Sequence, residues 1–147
     1  MSWFLLLKLI HVLSAIVAVG SNVTYVIWLR TAEREHVAFA IRGVRRLDRT
    51  LANPGYGLLL VTGVLMVLAG GYSFTQHWIE LAIGLYVLVA VLGIAVFAPA
   101  IRRQLAEAET DPTSAAYRAA SRRTNTLGLL TTAVVVVIVF LMVTKPF

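Results

Sequence analysis

Four long apolar segments constrain the fold of this chain more than any other feature. They cover residues 3–29, 55–72, 78–100 and 127–143. A bilayer core about 30 Å thick requires about 20 helical residues, and each segment meets that length within the usual tolerance. The runs are continuous and lack the alternation of a barrel strand, which favours helices that pair their own backbone groups in lipid. The sequence therefore predicts an all-α integral membrane four-helix bundle, with residues 1–147 as a single domain.

Composition supports this class and excludes others. Hydrophobic residues make up 59% of the chain and charged residues only 14%, which is not the composition of an ordinary soluble domain. The absence of cysteine excludes disulfides, thiolate metal sites and iron–sulfur clusters. The net charge of +6 is explained by membrane topology and anionic headgroups, so the expected partner is the lipid bilayer and not nucleic acid.

The basic residues predict the orientation of the chain. Only Lys8 and Lys145 lie on one side of the predicted spans, and every arginine lies in or beside the two long connections on the other side: Arg30, Arg34, Arg42, Arg45, Arg46, Arg49, Arg102, Arg103, Arg118, Arg122 and Arg123. Arginine-rich connections stay in the cytoplasm. We therefore expect a multi-pass protein of the cell membrane with both termini outside.

The first arginine-rich connection has its own helical pattern. Apolar residues recur at helical spacing over residues 32–50, which predicts a cytoplasmic helical segment. Asn53, Pro54 and Gly55 follow it, and this sequence predicts a break before span two. In the second connection, the stretch from Thr110 to Ser114 predicts a turn with a capping residue for the last helix.

Each span carries a stripe of small and polar residues. At 100° per residue, the first span collects Lys8, His11, Ala18, Asn22 and Tyr25 in one arc, with Ser14 at its edge. Such stripes face other helices, because polar side chains avoid lipid and small ones permit close packing. The predicted polar interior of the bundle consists of Lys8, Ser14, Asn22, Tyr25, Asn53 and Asn125.

His11 is the residue of the first span that packing explains least well. It lies eight residues after Trp3, about 12 Å along the helix if Trp3 marks the interface. His77 and Glu80 begin span three on the same side and fall on one face, and Met142 lies in the same half of span four. A buried imidazole in a bundle suits a b-type haem, with His11 as one axial ligand and His77 or Met142 as the other.

The same residues also suit ligands other than haem. His11, His77 and Glu80 suit a copper or zinc ion equally well. No fixed ligand spacing appears, so a histidine that only bonds a neighbouring helix, with no cofactor at all, is the third reading.

The chain resembles an uncharacterised bacterial family of four-span membrane proteins, domain of unknown function 2269. The resemblance rests on LLLKLIHVLSAIVAVGSN and RRLDRTLANPGYGLLLVTGVLMVLAGGY, and it implies four spans but no activity. The first span is also similar to those of the four-span haem-binding protoporphyrinogen oxidases and the copper-resistance D-type membrane domains. That similarity implies a haem-ligand role for His11 alone. The oxidases also use a lysine in a later span, whereas this chain has none between Lys8 and Lys145.

Three functions are compatible with these residues. The first is a haem protein for electron transfer or haem-dependent redox chemistry in the outer half of the bundle, served by a redox partner. The second is a small oligomeric ion or metal transporter or channel, with Lys8, His11 and Glu80 along a polar route. The third is a structural accessory subunit.

Overall fold

The computed structural model describes residues 2–146, and long helices make up most of them. Four of these helices are long and apolar enough to cross a membrane: α1 (Trp3–Glu35), α2 (Ala38–Ala69), α3 (His77–Thr110) and α4 (Ala115–Thr144). The prediction of an all-α membrane protein with four spans is confirmed.

Serine caps begin two of the helices. The Ser2 hydroxyl oxygen accepts a hydrogen bond from the backbone N–H of Leu5 at 3.3 Å, and Ser114 does the same for the first turn of α4 at 3.0 Å. Both serines satisfy an N–H that the helix itself leaves free. In the turn before α4, the Asp111 carboxylate accepts from the N–H and hydroxyl of Thr113, and these bonds lower its pKa.

The first break in the chain lies at His36, not at Asn53–Pro54–Gly55 as the sequence suggested. His36 adopts a left-handed conformation with φ 54° and ends α1. α2 then runs without interruption through Pro54. A proline inside a helix lacks an N–H and clashes with the carbonyl four residues earlier. Here the segment Asp48–Ala52, just before the proline, is π-helical, and its wider turn accommodates the ring.

Helix α3 repeats this arrangement. Its π-helical segment, Gly93–Phe97, lies directly before Ala98 and Pro99. Both π-helical segments lie on the side of the two arginine-rich connections. We call this side the arginine-rich end.

The helices pack in the order α2, α1, α4, α3. At the arginine-rich end all four meet around a buried apolar cluster that includes Leu29, Ile41, Ile101 and Tyr117. Farther along, α2 and α3 separate. No Cα atom of Asn53–Ala69 lies within 8 Å of a Cα atom of His77–Phe97, so the bundle has a lateral gap between these segments.

Glycine sets the closest approach of α1 and α2. A Cβ added to Gly55 would lie 3.3 Å from the Ala18 Cβ and 3.6 Å from the Ser14 carbonyl oxygen. Two helix backbones therefore approach here as they do at other small-residue interfaces in membranes.

Gly55→Leu is expected to destabilise the protein by about 1–3 kcal/mol, because the side chain must displace α1. Gly20→Leu is the matched control, since nothing lies within 4 Å of a Cβ at Gly20. Thermal unfolding in detergent measures both variants. An equal melting temperature for the two would contradict the close packing of α1 on α2.

The orientation of the helices stays a prediction, and the absence of cysteine makes it easy to test. Thr75 lies in the connection between α2 and α3, and Thr113 in that between α3 and α4; both are exposed. In intact cells, a membrane-impermeant maleimide should label Thr75→Cys and leave Thr113→Cys unlabelled until the cells are opened. The reverse pattern would place the arginine-rich end outside.

Candidate functional site

A cavity of about 540 Å³ lies between the four helices, toward the arginine-rich end. Both π-helical segments contribute to its wall, and π-helical turns are frequent at functional sites. One part of the wall is apolar, with Leu29, Val89 and Phe97 among its residues. The rest is polar and comes from every helix: Asn22, Tyr25, Asp48, Asn53, Tyr56, Tyr86, Arg102, Asn125, Thr131 and Thr132.

Tyr56 connects three helices at this cavity. The Asn22 side-chain amide of α1 donates to the Tyr56 hydroxyl. From the other side, the Tyr86 hydroxyl of α3 donates to the Tyr56 carbonyl oxygen at 2.7 Å. The two tyrosine rings meet edge to face, with centroids 6.5 Å apart. This pair crosses the gap between α2 and α3.

Two buried polar atoms at the cavity have no hydrogen-bond partner within the part of the protein that the structure describes. They are the hydroxyl of Tyr25, a residue that is 3% exposed, and Oδ1 of Asn125. The Asn125 amide nitrogen is satisfied, since it donates to Glu33 and Ser121. A buried polar atom without a partner costs about 1–3 kcal/mol, and a bound molecule with donors and acceptors would remove that cost.

Asp48 is the one acidic side chain on the cavity wall. Its carboxylate accepts a hydrogen bond from the Asn53 amide at 3.3 Å. It forms no ion pair within residues 2–146. Arg102 also lines the cavity, but its Nε donates to the Ala98 carbonyl oxygen. The cavity thus contains a carboxylate whose charge no cationic side chain balances directly.

The structure brings His11 to α2, where Thr62 fixes its ring. His11 Nδ1 lies 2.9 Å from the Thr62 hydroxyl oxygen, and that hydroxyl donates to the Leu58 carbonyl at 2.6 Å. With the hydroxyl proton directed to Leu58, the Thr62 oxygen accepts from Nδ1–H, and in that tautomer Nε2 keeps its lone pair. Gly63 makes room for the ring, because a Cβ there would lie 3.3 Å from His11 Cε1.

The other candidates for the outer site do not join His11. The side chains of His77 and Glu80 are 81% and 55% exposed and pair with each other at 3.3 Å, while Trp78 and Ile79 between them are buried. No Cα atom of α1 lies within 8 Å of one in α3. Lys8 and Met142 are exposed. Within residues 2–146, no three His, Cys, Asp or Glu side chains come together as a metal site.

The predicted polar interior is found in part at the cavity. Asn22, Tyr25, Asn53 and Asn125 line it, and Ser14 is buried against α2 near Gly55. Asp48, Tyr86 and Thr62 were not among the site residues predicted from the sequence. The triplet Leu47-Asp48-Arg49 and the pair Thr62-Gly63 both lie within the stretches that carry the family resemblance, which was the available signal for Asp48 and Thr62. Nothing in the sequence singled out Tyr86.

The family comparison fits this architecture. A family model described as "Predicted integral membrane protein (DUF2269)" matches residues 5–146. The chain belongs to this family. No curated protein and no solved structure matches it. Membership in DUF2269 agrees with the four long apolar helices of an integral membrane protein and assigns no activity.

Thr62→Val should destabilise the protein by about 1–3 kcal/mol, because it leaves the Nδ1–H of His11 without its acceptor. Thr62→Ser, which keeps the hydroxyl, should recover most of the loss. Thr126→Val on an exposed position of α4 is the control. Melting temperatures in detergent test the series, and equal values for Thr62→Val and Thr126→Val would refute the role of Thr62.

Proposed function

We propose that this protein is a membrane carrier that binds a small organic molecule with a cationic, donor-rich group in its central cavity. The observation that carries the proposal is the Asp48 carboxylate, which lines the cavity without an ion-pair partner in residues 2–146. An organic ammonium group supplies a balancing charge together with several hydrogen-bond donors.

The shape of the site supports small-molecule binding. Its volume of about 540 Å³ lies in the usual range for small-molecule pockets, and its wall combines apolar residues with a few polar groups, as such pockets do. The tyrosine rings of Tyr25, Tyr56 and Tyr86 add faces that attract a cation. The unpaired Asn125 Oδ1 is a further acceptor for an ammonium proton.

The helices around the site support transport rather than fixed storage. Departures from regular α geometry are frequent at functional sites, where the backbone can change locally. Here two π-helical segments border the cavity. Beside the cavity, the backbones of α2 and α3 are separated by the lateral gap. A local change of these segments would alter access to the site without unfolding a helix.

Binding of short amines tests the proposal directly. Phenethylamine and butylamine should raise the melting temperature of the purified protein in lipid nanodiscs, since a ligand of the folded state at 100 times its Kd stabilises it by about 2.7 kcal/mol. Asp48→Asn should abolish the shift. Asp111→Asn, which changes an exposed carboxylate far from the cavity wall, should preserve it. Absence of stabilisation by any amine, or a shift unaffected by Asp48→Asn, would refute the proposal.

A second candidate function is binding of haem b through His11. The support for it is the ring geometry: the Thr62 hydroxyl orients Nδ1, and Nε2 keeps its lone pair, as in metal-binding histidines with an oriented second nitrogen. His11 therefore fits the role of one axial ligand. His77 does not lie beside His11, because its side chain is exposed and no Cα atom of α3 lies within 8 Å of one in α1. Bound haem would supply electron transfer or redox chemistry.

Absorption spectroscopy tests this second candidate. Protein purified from cells supplied with haem should show a Soret band that His11→Ala removes. His36→Ala is the control, since His36 is exposed in the connection between α1 and α2. If His77 is the other axial ligand, His77→Ala should shift the band. A wild-type protein without the band would eliminate the haem proposal.

A further inference from the structure

A second space lies beside the cavity, on the lipid side of the bundle. A groove of about 340 Å³ lies there, lined by Leu60 of α2 and by residues of α3. Its lining residues are all apolar except Tyr86. Since α2 and α3 do not approach closely at this level, the groove opens toward the surrounding acyl chains.

The groove and the cavity share one stretch of wall. Tyr86, Ala90 and Ile94 of α3 line both spaces. Within residues 2–146, the hydrogen bond from the Tyr86 hydroxyl to the Tyr56 carbonyl oxygen is the one that joins Asn53–Ala69 to His77–Phe97. The cavity and the groove are therefore adjacent compartments, with the tyrosine side chain and its two smaller neighbours as the wall that they share.

The two compartments differ in chemistry in the way an amphiphile does. The cavity offers Asp48, the Asn125 carbonyl oxygen and tyrosine rings, which suit an ammonium head. The groove follows α3 from Val87 to Ala95, about 12 Å at 1.5 Å per residue, and offers only apolar surface and the phenol ring of Tyr86 to a chain. A short polar solute would leave the groove unexplained, and a plain hydrocarbon would leave Asp48 unpaired.

We propose that the ligand is a long-chain amine, whose ammonium group lies beside Asp48 in the cavity and whose alkyl chain lies in the groove between α2 and α3. This inference rests on the proposed carrier function and specifies its substrate class. The amine reaches the site from the bilayer, because the groove opens to lipid. Tyr86 is the residue that the ligand passes, and its bond to Tyr56 must open for the head to enter.

Separate titrations of a long and a short amine test the groove independently of the cavity. Dodecylamine and phenethylamine are titrated against the protein in nanodiscs, with melting temperature as the measure of binding. Val91→Trp places a large ring in the groove, and it should weaken dodecylamine binding at least tenfold while phenethylamine binding stays within twofold. Val136→Trp is the matched control, since Val136 has almost the same exposure on α4 (53%, against 55% for Val91) and does not line the groove.

A photoreactive dodecylamine with a diazirine at the end of its chain locates the tail. Crosslinks should map to Leu60, Val87 and Val91, and Asp48→Asn should remove them. Crosslinks spread over other lipid-facing surfaces, or dodecylamine binding that Val91→Trp does not weaken, would overturn the long-chain proposal. In that case Asp48-dependent binding of phenethylamine would still uphold the carrier function, whereas loss of all amine binding would end both.

Discussion

Backbone pairing in lipid is the constraint on which the rest of this structure depends. Inside hydrocarbon each backbone N–H and C=O must be paired within its own helix, so helices form readily. The hydrophobic effect does not drive these helices together, because lipid tails are as apolar as their side chains. Association then rests on close packing and a few polar bonds. Gly55 against Ala18 and Gly63 against the His11 ring supply the close packing. The bonds of Tyr56 to Asn22 and Tyr86 supply much of the polar connection.

These attachments are unevenly distributed, and this creates the candidate site. At the arginine-rich end an apolar cluster and the Arg42–Glu109 pair at 2.9 Å hold the four helices together. Beyond it α2 and α3 separate, and the space between them contains unpaired polar atoms. Burying polar groups without hydrogen-bond partners costs free energy of folding. Their position beside two π-helical segments and an unpaired carboxylate is the basis of the proposed ligand site.

Sequence periodicity predicted the interior of α1 better than that of α3. Ala18 and Tyr25 are buried as the stripe of the first span required. In α3, His77 and Glu80 were predicted to face His11, whereas the structure buries Trp78 and Ile79 between them. His77 and Glu80 lie in the first turn of the helix, where polar side chains remain exposed and pair with each other. The polarity of a residue therefore does not fix the inner face of a helix at its end.

The sequence by itself determined that the chain forms four membrane-spanning helices, because the length and apolarity of a segment are local properties. It also indicated that His11, Asn22, Tyr25 and Asn125 avoid lipid, since a polar residue has few alternatives there. Only the tertiary structure decided which of these side chains meet. The pairing of His11 with Thr62, the gap between α2 and α3, and the place of Asp48 on a cavity wall depend on how helices distant in the chain pack, and no local pattern specifies that.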